Sequence, residues 1–442
     1  MKDDRRRTAV VGSGVAGLTA AHILRRSHDV ELYEADERLG GHAHTHDIPS
    51  ADGRVHRVDT GFIVHNERTY PYLLRLFGEL GVATQESEMS MSVRCEECGL
   101  EYAGARGLPG LFAQRRNALR PRYLRMLGEV PAFHRRARHL LATADAAERA
   151  DAAGPGAPGA AGGSAAAAMT LAEFIAAGRF SPYFVSHFLT PLVACVWSCD
   201  AETALRYPAR YLFRFLAHHG MLSIHGSPAW RTVSGGSREY VERVGKSIGA
   251  VHTSTAVRAL RRHTDGVEIT ADDGSVRHYD SVVIAVHPDQ ALRLLADATD
   301  EERRVLGAFR YSRNPTQLHT DTRVLPRSAG ARASWNYWMP ACDAGAAAVR
   351  VSYDMNRLQR LDAPETYVVT LNGADQVDES RVLARMTYEH PVYTPESVAA
   401  QRLLPALSGP VTAYAGAYHG WGFHEDGCRS GVEAAAALGV SW

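Results

Sequence analysis

Apolar residues fill TAVVG, residues 8–12, without a break, which predicts a short strand buried on both faces. GSGVAG follows, and LTAAHILRR then carries apolar positions at helical spacing. HDVELYE, residues 28–34, alternates polar and apolar positions and predicts a second strand, so the chain opens as β-α-β. Residues 170–225 hold helical patterns in LAEFI, YFVSHFL and RYLFRFLAHHG. Strand patterns resume near residue 250 in AVHTSTAVRAL, GVEITADDG and YDSVVIAV, with turn signals such as DDGS between them. After a mixed segment, the end (VTAYAGAYHGWGFHEDGCRSGVEAAAAL) reads as strand, glycine-rich loop and helix. Its likeness to the opening predicts one α/β domain assembled from three segments, residues 1–75, 230–294 and 406–442. Residues 76–229 and 295–405 then form an inserted α+β domain. Residues 144–168 are mostly Ala, Gly and Pro and read as a flexible insertion.

A length of 442 residues exceeds what one core serves, in line with two domains. With 45% hydrophobic and 22% charged residues the composition is globular, and a net charge of zero gives no global field for nucleic acid. Lys2 and Lys246 are the only lysines. Six cysteines include a single CxxC, Cys95 and Cys98 in CEECG. A structural zinc site usually needs a second pair; Cys195 and Cys199 stand too isolated to supply it, so the expectation is reduced thiols and no metal. The polar start MKDDRRR has no apolar signal region behind it, and no apolar run reaches the roughly 20 residues of a membrane span. A cytoplasmic protein is expected.

Gly12, Gly14 and Gly17 form GxGxxG between the first strand and helix. Gly12 permits the tight turn, Gly14 lets a pyrophosphate approach the backbone, and Gly17 lets helix and sheet pack closely. Val15 and Ala16 open the helix whose positive end would face the phosphates. Glu34 ends the second strand, where its carboxylate can accept from ribose hydroxyls. Together these predict a Rossmann-type dinucleotide site. Arg38, Gly40 and Gly41 come next, and a cation with two glycines suits a second pass along the pyrophosphate, which favours FAD over NAD. RLGGHAHTHD also alternates His42, His44 and His46, which on a strand would share one face and could hold a metal. The paired glycines instead favour a flavin pocket lined by His42 and His44, with His46 a surface residue.

EADERLGGH resembles the ExxxxRxGGR motif of the flavin-containing amine oxidase superfamily, with His42 where the last Arg usually stands. VDTGFIVHNERTYPYL (58–73), MSMSVRCEECGLEYAG (89–104), WRTVSGGSREYV (230–241), ASWNYW (333–338) and GAYHGWGFHEDGCRSG (416–431) further resemble a bacterial family of NAD/FAD-binding proteins in that superfamily. The resemblance implies FAD and the amine-oxidase-like two-domain architecture. It implies flavin contacts at Thr60 and Gly61, adenine contacts near Val257, and contacts by Gly416, Asp426 and Gly427 near the ribityl chain and pyrimidine. GCRSG is one residue shorter than the usual GAxxSG of amine oxidases. Family genes often lie beside cyclopropane-fatty-acyl-phospholipid synthase-like methyltransferases, and some relatives are implicated in desaturating methyl-branched acyl chains.

Many amine oxidases place a lysine near flavin N5; here Lys246 reads as an exposed helix end. That lowers the case for amine oxidation and raises the case for hydride removal from an apolar fatty acyl or phospholipid-linked substrate. Amine oxidation, and lipid escort without turnover, remain as alternatives. His424, Glu425 and Tyr418 are the candidate catalytic residues, and His424 could equally be a fixed hydrogen-bonding group. Trp335, Tyr337, Trp338, Tyr418 and Trp421 could wall an apolar tunnel or simply pack the core. From Arg106 to Arg138 there are nine arginines and one acid, Glu129. That run suits either a solvated basic face or peripheral contact with an anionic membrane at its inner face; no motif accompanies it that would bind nucleic acid.

Overall fold

The computed structural model describes residues 5–152, 169–223, 226–343 and 349–442. Strand Arg6–Val11 lies at the centre of a five-stranded parallel sheet. It is flanked by His28–Tyr33 and then Ala250–His252 on one side, and by Ser281–Ile284 and then Thr412–Tyr414 on the other. Because side chains alternate along a strand, Val10 faces one layer while Ala9 and Val11 face another. Val10 packs with the helix Val15–Leu24, all of whose residues are buried. Ala9 and Val11 pack against an antiparallel layer of Val257–His263, Gly266–Ala271 and Val276–Tyr279.

The first helix has no solvent face because the C-terminal helix His424–Ala437 covers its other side. Contact is close enough to demand glycine. A Cβ on Gly431 would lie 2.4 Å from the Ala16 carbonyl oxygen, and one on Gly427 2.6 Å from Val15 Cγ1.

A mixed seven-stranded sheet forms the second body, in the order Val382–Val392, Arg310–His319, Val368–Leu371, Val351–Asp354, Trp335–Met339, Met91–Cys95, Glu101–Ala103. Its neighbours run antiparallel except Trp335–Met339 beside Met91–Cys95. Helices cover it, the longest being Pro121–Ala152. That helix buries Tyr123, Met126, Phe133, Ala137, Ala144 and Ala147, a stripe at three- and four-residue spacing. No helix among the described residues is long and apolar enough to cross a membrane.

The two bodies meet around Asp59, which is fully buried. Its carboxylate accepts from Thr45 Oγ1 at 2.6 Å, Ser237 N at 3.0 Å and Gln359 Nε2 at 3.0 Å, gathering three distant segments. Burial pushes this carboxyl up to about 6.

One expectation is corrected. Residues 144–152 are not a flexible insertion but the last turns of the long helix. Ala144 and Ala147 continue its buried stripe, and Asp145 and Glu148 reach Arg210 and Arg214 at 3.1 and 2.8 Å. Alanine is the best helix former, so an Ala-rich stretch that has partners folds. The remainder of that expected insertion, residues 153–168, lies outside the described residues.

Candidate active site

A cavity of about 1070 Å³ runs from the first strand–helix turn into the space beside the seven-stranded sheet. Drug-sized ligands occupy roughly 300–1,000 Å³, so this volume suits a dinucleotide together with part of a second molecule.

At its outer end the glycines take the roles that their spacing predicts. Gly12 has φ +98°, and a Cβ there would lie 2.6 Å from the Ala285 carbonyl oxygen. A Cβ on Gly17 would meet the Gly12 oxygen at 1.9 Å. Gly14 is different: nothing lies within 4 Å of where its Cβ would be, so the backbone there is open to a phosphate. Val15 and Ala16 line the cavity at the helix start. Glu34 accepts from Ser13 N at 2.9 Å and from Asp36 N at 3.0 Å, and it faces the cavity with Val257. Gly40 donates its N–H to the Ser13 carbonyl at 3.1 Å, which brings the second glycine loop onto the first turn. Arg38 lines the cavity and donates to the Gly41 carbonyl at 2.9 Å, so it stiffens this loop. An open Gly14, a ribose-side carboxylate and a second glycine turn are the donor set and the space that FAD requires.

Further in, residues 42–44 pair with 60–62. Phe62 N donates to the His42 carbonyl at 2.7 Å, and a Cβ on Gly61 would come within 2.2 Å of that oxygen. Thr60 and Tyr388 hydroxyls lie 2.6 Å apart. His42, His44, Thr60, Gly61 and Gly416 all line the cavity. His42 replaces a familiar arginine with a neutral ring, since burial holds its imidazole well below the ordinary histidine range. Its Nε2 has no partner among the described residues. Its ring centroid lies 5.0 Å from Tyr388 and 5.3 Å from His390.

Sequence reasoning missed Tyr388, Glu389 and His390. Tyr388 and His390 occupy alternate positions of the strand Val382–Val392. The signal that could have found them is the polar run YEH flanked by apolar positions. Asn314 Nδ2 lies 3.0 Å from His390 Nδ1, and Asn314 Oδ1 accepts from Asn372 Nδ2 at 2.8 Å. This chain of bonds assigns the donor role to Asn314 Nδ2 and leaves the His390 proton on Nε2. Burial lowers His390 to about 4.

Beyond the histidines the wall is aromatic and aliphatic: Trp197, Phe215, Trp335, Tyr353, Leu371, Met386, Trp421 and Phe423. Trp335, Tyr418 and Trp421 therefore do face the cavity, whereas Tyr337 and Trp338 do not line it. Trp338 lies under the Arg350 guanidinium, 4.8 Å from its ring centroid.

The three candidate catalytic residues separate. Tyr418 lines the cavity with an unpartnered hydroxyl among the described residues. His424 lines it too, stacked on Phe62 at 3.7 Å, with Nε2 3.1 Å from the Tyr240 hydroxyl. Burial lowers His424 to about 3. Glu425 is corrected: both its oxygens accept backbone N–H groups, from Tyr72 and Leu73 at 3.0 Å. It caps the helix Pro71–Leu80, whose first turn carries no acid of its own, and does not line the cavity. Asp426 and Gly427 are corrected likewise. Asp426 accepts from Trp421 N at 3.0 Å and Phe423 N at 3.1 Å, closing the turn before the last helix, and Gly427 serves helix packing.

Relatives of known kind share this architecture. A crystallised CLA-producing fatty acid isomerase from P. acnes superposes with a TM-score of 0.65 at 17% identity over 98% of both chains. Cyclohexylamine oxidase from Brevibacterium oxydans IH-35A superposes with a TM-score of 0.64 at 15% identity, again over 98% of both chains. At those identities the likeness is one of fold. In sequence, the chain is 26% identical over 295 residues to a flavin-containing monoamine oxidase designated AofH of Mycobacterium tuberculosis (strain ATCC 25618 / H37Rv), covering 63% of this chain. The chain spans 56% of that relative's length. The sequence profile of the flavin-containing amine oxidoreductases matches residues 15–365, from the start of the first helix through Glu34, the second glycine loop and five of the seven strands of the larger sheet. With the FAD cradle assembled as described, the chain belongs to the flavin-containing amine oxidoreductase family.

Proposed function

We propose that this protein is an FAD-dependent oxidoreductase that dehydrogenates an apolar fatty acyl or phospholipid-linked chain. The observation that carries the reading is the inner wall of the cavity, where aromatic and aliphatic side chains supply the surface and the nearby histidines are held neutral by burial. Such a wall favours an alkyl chain by desolvation, and Glu389, which also lines the cavity, lies 3.3 Å from His287 and 3.5 Å from Arg313. When bound, FAD supplies the electron acceptor for a hydride equivalent. The chain's own groups orient the substrate, exclude water and handle the proton. His42 Nε2 and the Tyr418 hydroxyl are the cavity groups free to exchange one. The Nε2–H of His390 is set as a donor by Asn314.

No lysine faces this chamber among the described residues. The Lys246 side chain is 78% exposed and lies 3.4 Å from Glu242. Amine oxidation is the second reading, supported by the monoamine oxidase relative and by the aromatic wall, which could also hold an amine by cation–π contact. A third reading, lipid escort without turnover, leaves the complete FAD cradle without a purpose.

A membrane source for the substrate fits the surface around the long helix. Leu108, Leu119 and Leu124 are 70%, 85% and 43% exposed, among arginines of which only Arg125 pairs with a carboxylate among the described residues.

The deciding experiment is anaerobic mixing of the flavin-loaded protein with vesicles of methyl-branched or monounsaturated phospholipid, and separately with primary amines. Bleaching of the flavin by the lipid alone is the expected outcome. Bleaching by amines alone transfers the protein to the second reading, and lipid binding without any bleaching to the third.

A further inference from the structure

Away from the flavin cavity, the fold gathers Cys95, Cys98, His187 and Cys342. Their sulfur and ring-nitrogen atoms all lie within 4.8 Å of one another, and none of the four lines the flavin cavity. The sequence presents only the CxxC pair; the other two members arrive from distant segments. Cys95 ends the strand Met91–Cys95, and Cys98 sits in the turn before Glu101–Ala103. His187 lies in a single π-helical turn, Val185–Leu189. Cys342 follows the strand Trp335–Met339.

Two of the spacings match those of a tetrahedron around one ion. With Zn–S near 2.3 Å and Zn–N near 2.0–2.1 Å, tetrahedral geometry puts ligand sulfurs about 3.8 Å apart and sulfur and nitrogen about 3.6 Å apart. Cys95 Sγ and Cys342 Sγ are 3.8 Å apart, and Cys98 Sγ and His187 Nε2 are 3.6 Å apart. A disulfide would need sulfurs about 2.05 Å apart.

The surroundings are built for ligation. His187 Nδ1 lies 2.8 Å from Ser186 Oγ and 3.3 Å from the Tyr183 carbonyl, which accepts its proton and leaves Nε2 bare toward Cys98. The Tyr102 hydroxyl donates to the His187 carbonyl at 2.7 Å, fixing that turn. Cys342 N donates to Glu97 Oε2 at 2.8 Å, fixing the third thiol over the CxxC turn. Backbone N–H groups of Cys98 and Leu100 point at the sulfurs of Cys95 and Cys98, and Gly99 has φ +64°, as a tight metal-binding turn requires.

We propose that these four side chains bind one structural zinc ion. Three thiolates and one neutral imidazole select zinc among common divalent ions, and a fully protein-ligated tetrahedron has no open position for catalysis. Binding releases the thiol protons to solvent and involves no change of oxidation state. The ion would join the edge hairpin of the seven-stranded sheet, the helical layer and the loop after Trp335–Met339, three parts that the backbone connects only remotely.

The test is metal content and cobalt spectroscopy on the full-length, flavin-loaded protein purified with reductant. Near one zinc per flavin should survive dialysis. Replacement by Co²⁺ should give the visible bands of a tetrahedral site with thiolate-to-cobalt charge transfer. Cys342→Ser should lower that charge-transfer intensity by about one third, one thiolate of three, whereas Cys199→Ser should leave it unchanged. Absence of both retained zinc and cobalt–thiolate bands overturns the proposal. So does a Cys95–Cys342 or Cys95–Cys98 disulfide in the native protein, or iron–sulfur absorption in place of zinc.

Discussion

At the outer end of the cavity the ligand meets mostly backbone: the open Gly14, the turn at Gly12 and the loop that Gly40 fastens to Ser13. At the inner end it meets side chains drawn from remote strands and helices, with His42 opposite His390 and Trp197 and Trp421 both on the wall. The outer end is local in sequence, set by steric limits that only glycine meets, and indifferent to titration. The inner end is assembled over long distances and depends on keeping polar rings neutral. One half of the pocket thus recognises a cofactor by shape, while the other is free to vary its chemistry.

The largest expected effect tests that division by pH. Burial holds His44 and His424 near 3 and His219 and His390 near 4, against 6.5 for the unfolded chain. Below 6.5 the unfolded state binds protons that the folded state refuses, so stability falls as pH drops from 6.5 toward 4. Asp59 and Asp426, both raised to about 6, act in the opposite sense, gaining stability as pH drops from 6 toward 3.8. His65 and His319, lowered to about 4, and His419, lowered to about 3, act in the same sense as these four, so the histidines outweigh the two carboxyls, and denaturant unfolding should show a net loss of several kcal/mol between pH 7 and pH 5. A flat profile would mean that the inner histidines are solvated and the comparison is wrong.

Next come the glycines. Gly17→Ala forces a Cβ onto the Gly12 carbonyl and should cost the flavin-free protein about 3 kcal/mol in unfolding experiments. Gly14→Ala meets nothing, so it should change that stability by less than about 0.5 kcal/mol and yet weaken FAD in a fluorescence titration. Equal losses of stability in the two variants would erase the distinction between packing glycine and ligand glycine.

Glu34→Ala should weaken FAD by about 2 kcal/mol, roughly thirtyfold in Kd, through lost hydrogen bonding to a charged acceptor. Smallest is Glu425→Ala. Loss of a helix cap should cost about 1 kcal/mol of stability, with turnover unchanged. A collapse of turnover at intact stability would return Glu425 to the catalytic set.

The legible part of the molecule is the part whose contacts are short in sequence. Gly12, Gly14, Gly17 and Glu34 sit on one strand–helix–strand unit, so their spacing alone reports their geometry. Thr60, Gly61 and His42 were legible through a family likeness, and the structure brings them together at the cavity. Asp426 and Glu425 misled because a carboxylate at a helix start caps backbone N–H groups as readily as it serves chemistry. His390 and Cys342 were illegible for a different reason: each acquires meaning only from a partner in another segment, and no local pattern encodes that pairing. Residues 144–152 show the converse error, in which composition suggested flexibility while Arg210 and Arg214 waited elsewhere to hold them.

The helix Val15–Leu24 presents no residue to water, and the helix His424–Ala437 covers one of its sides. Without that second helix, the apolar helix behind the phosphate turn would leave one flank bare to water. A complete cradle for the turn therefore requires docking of a helix drawn from a distant part of the sequence.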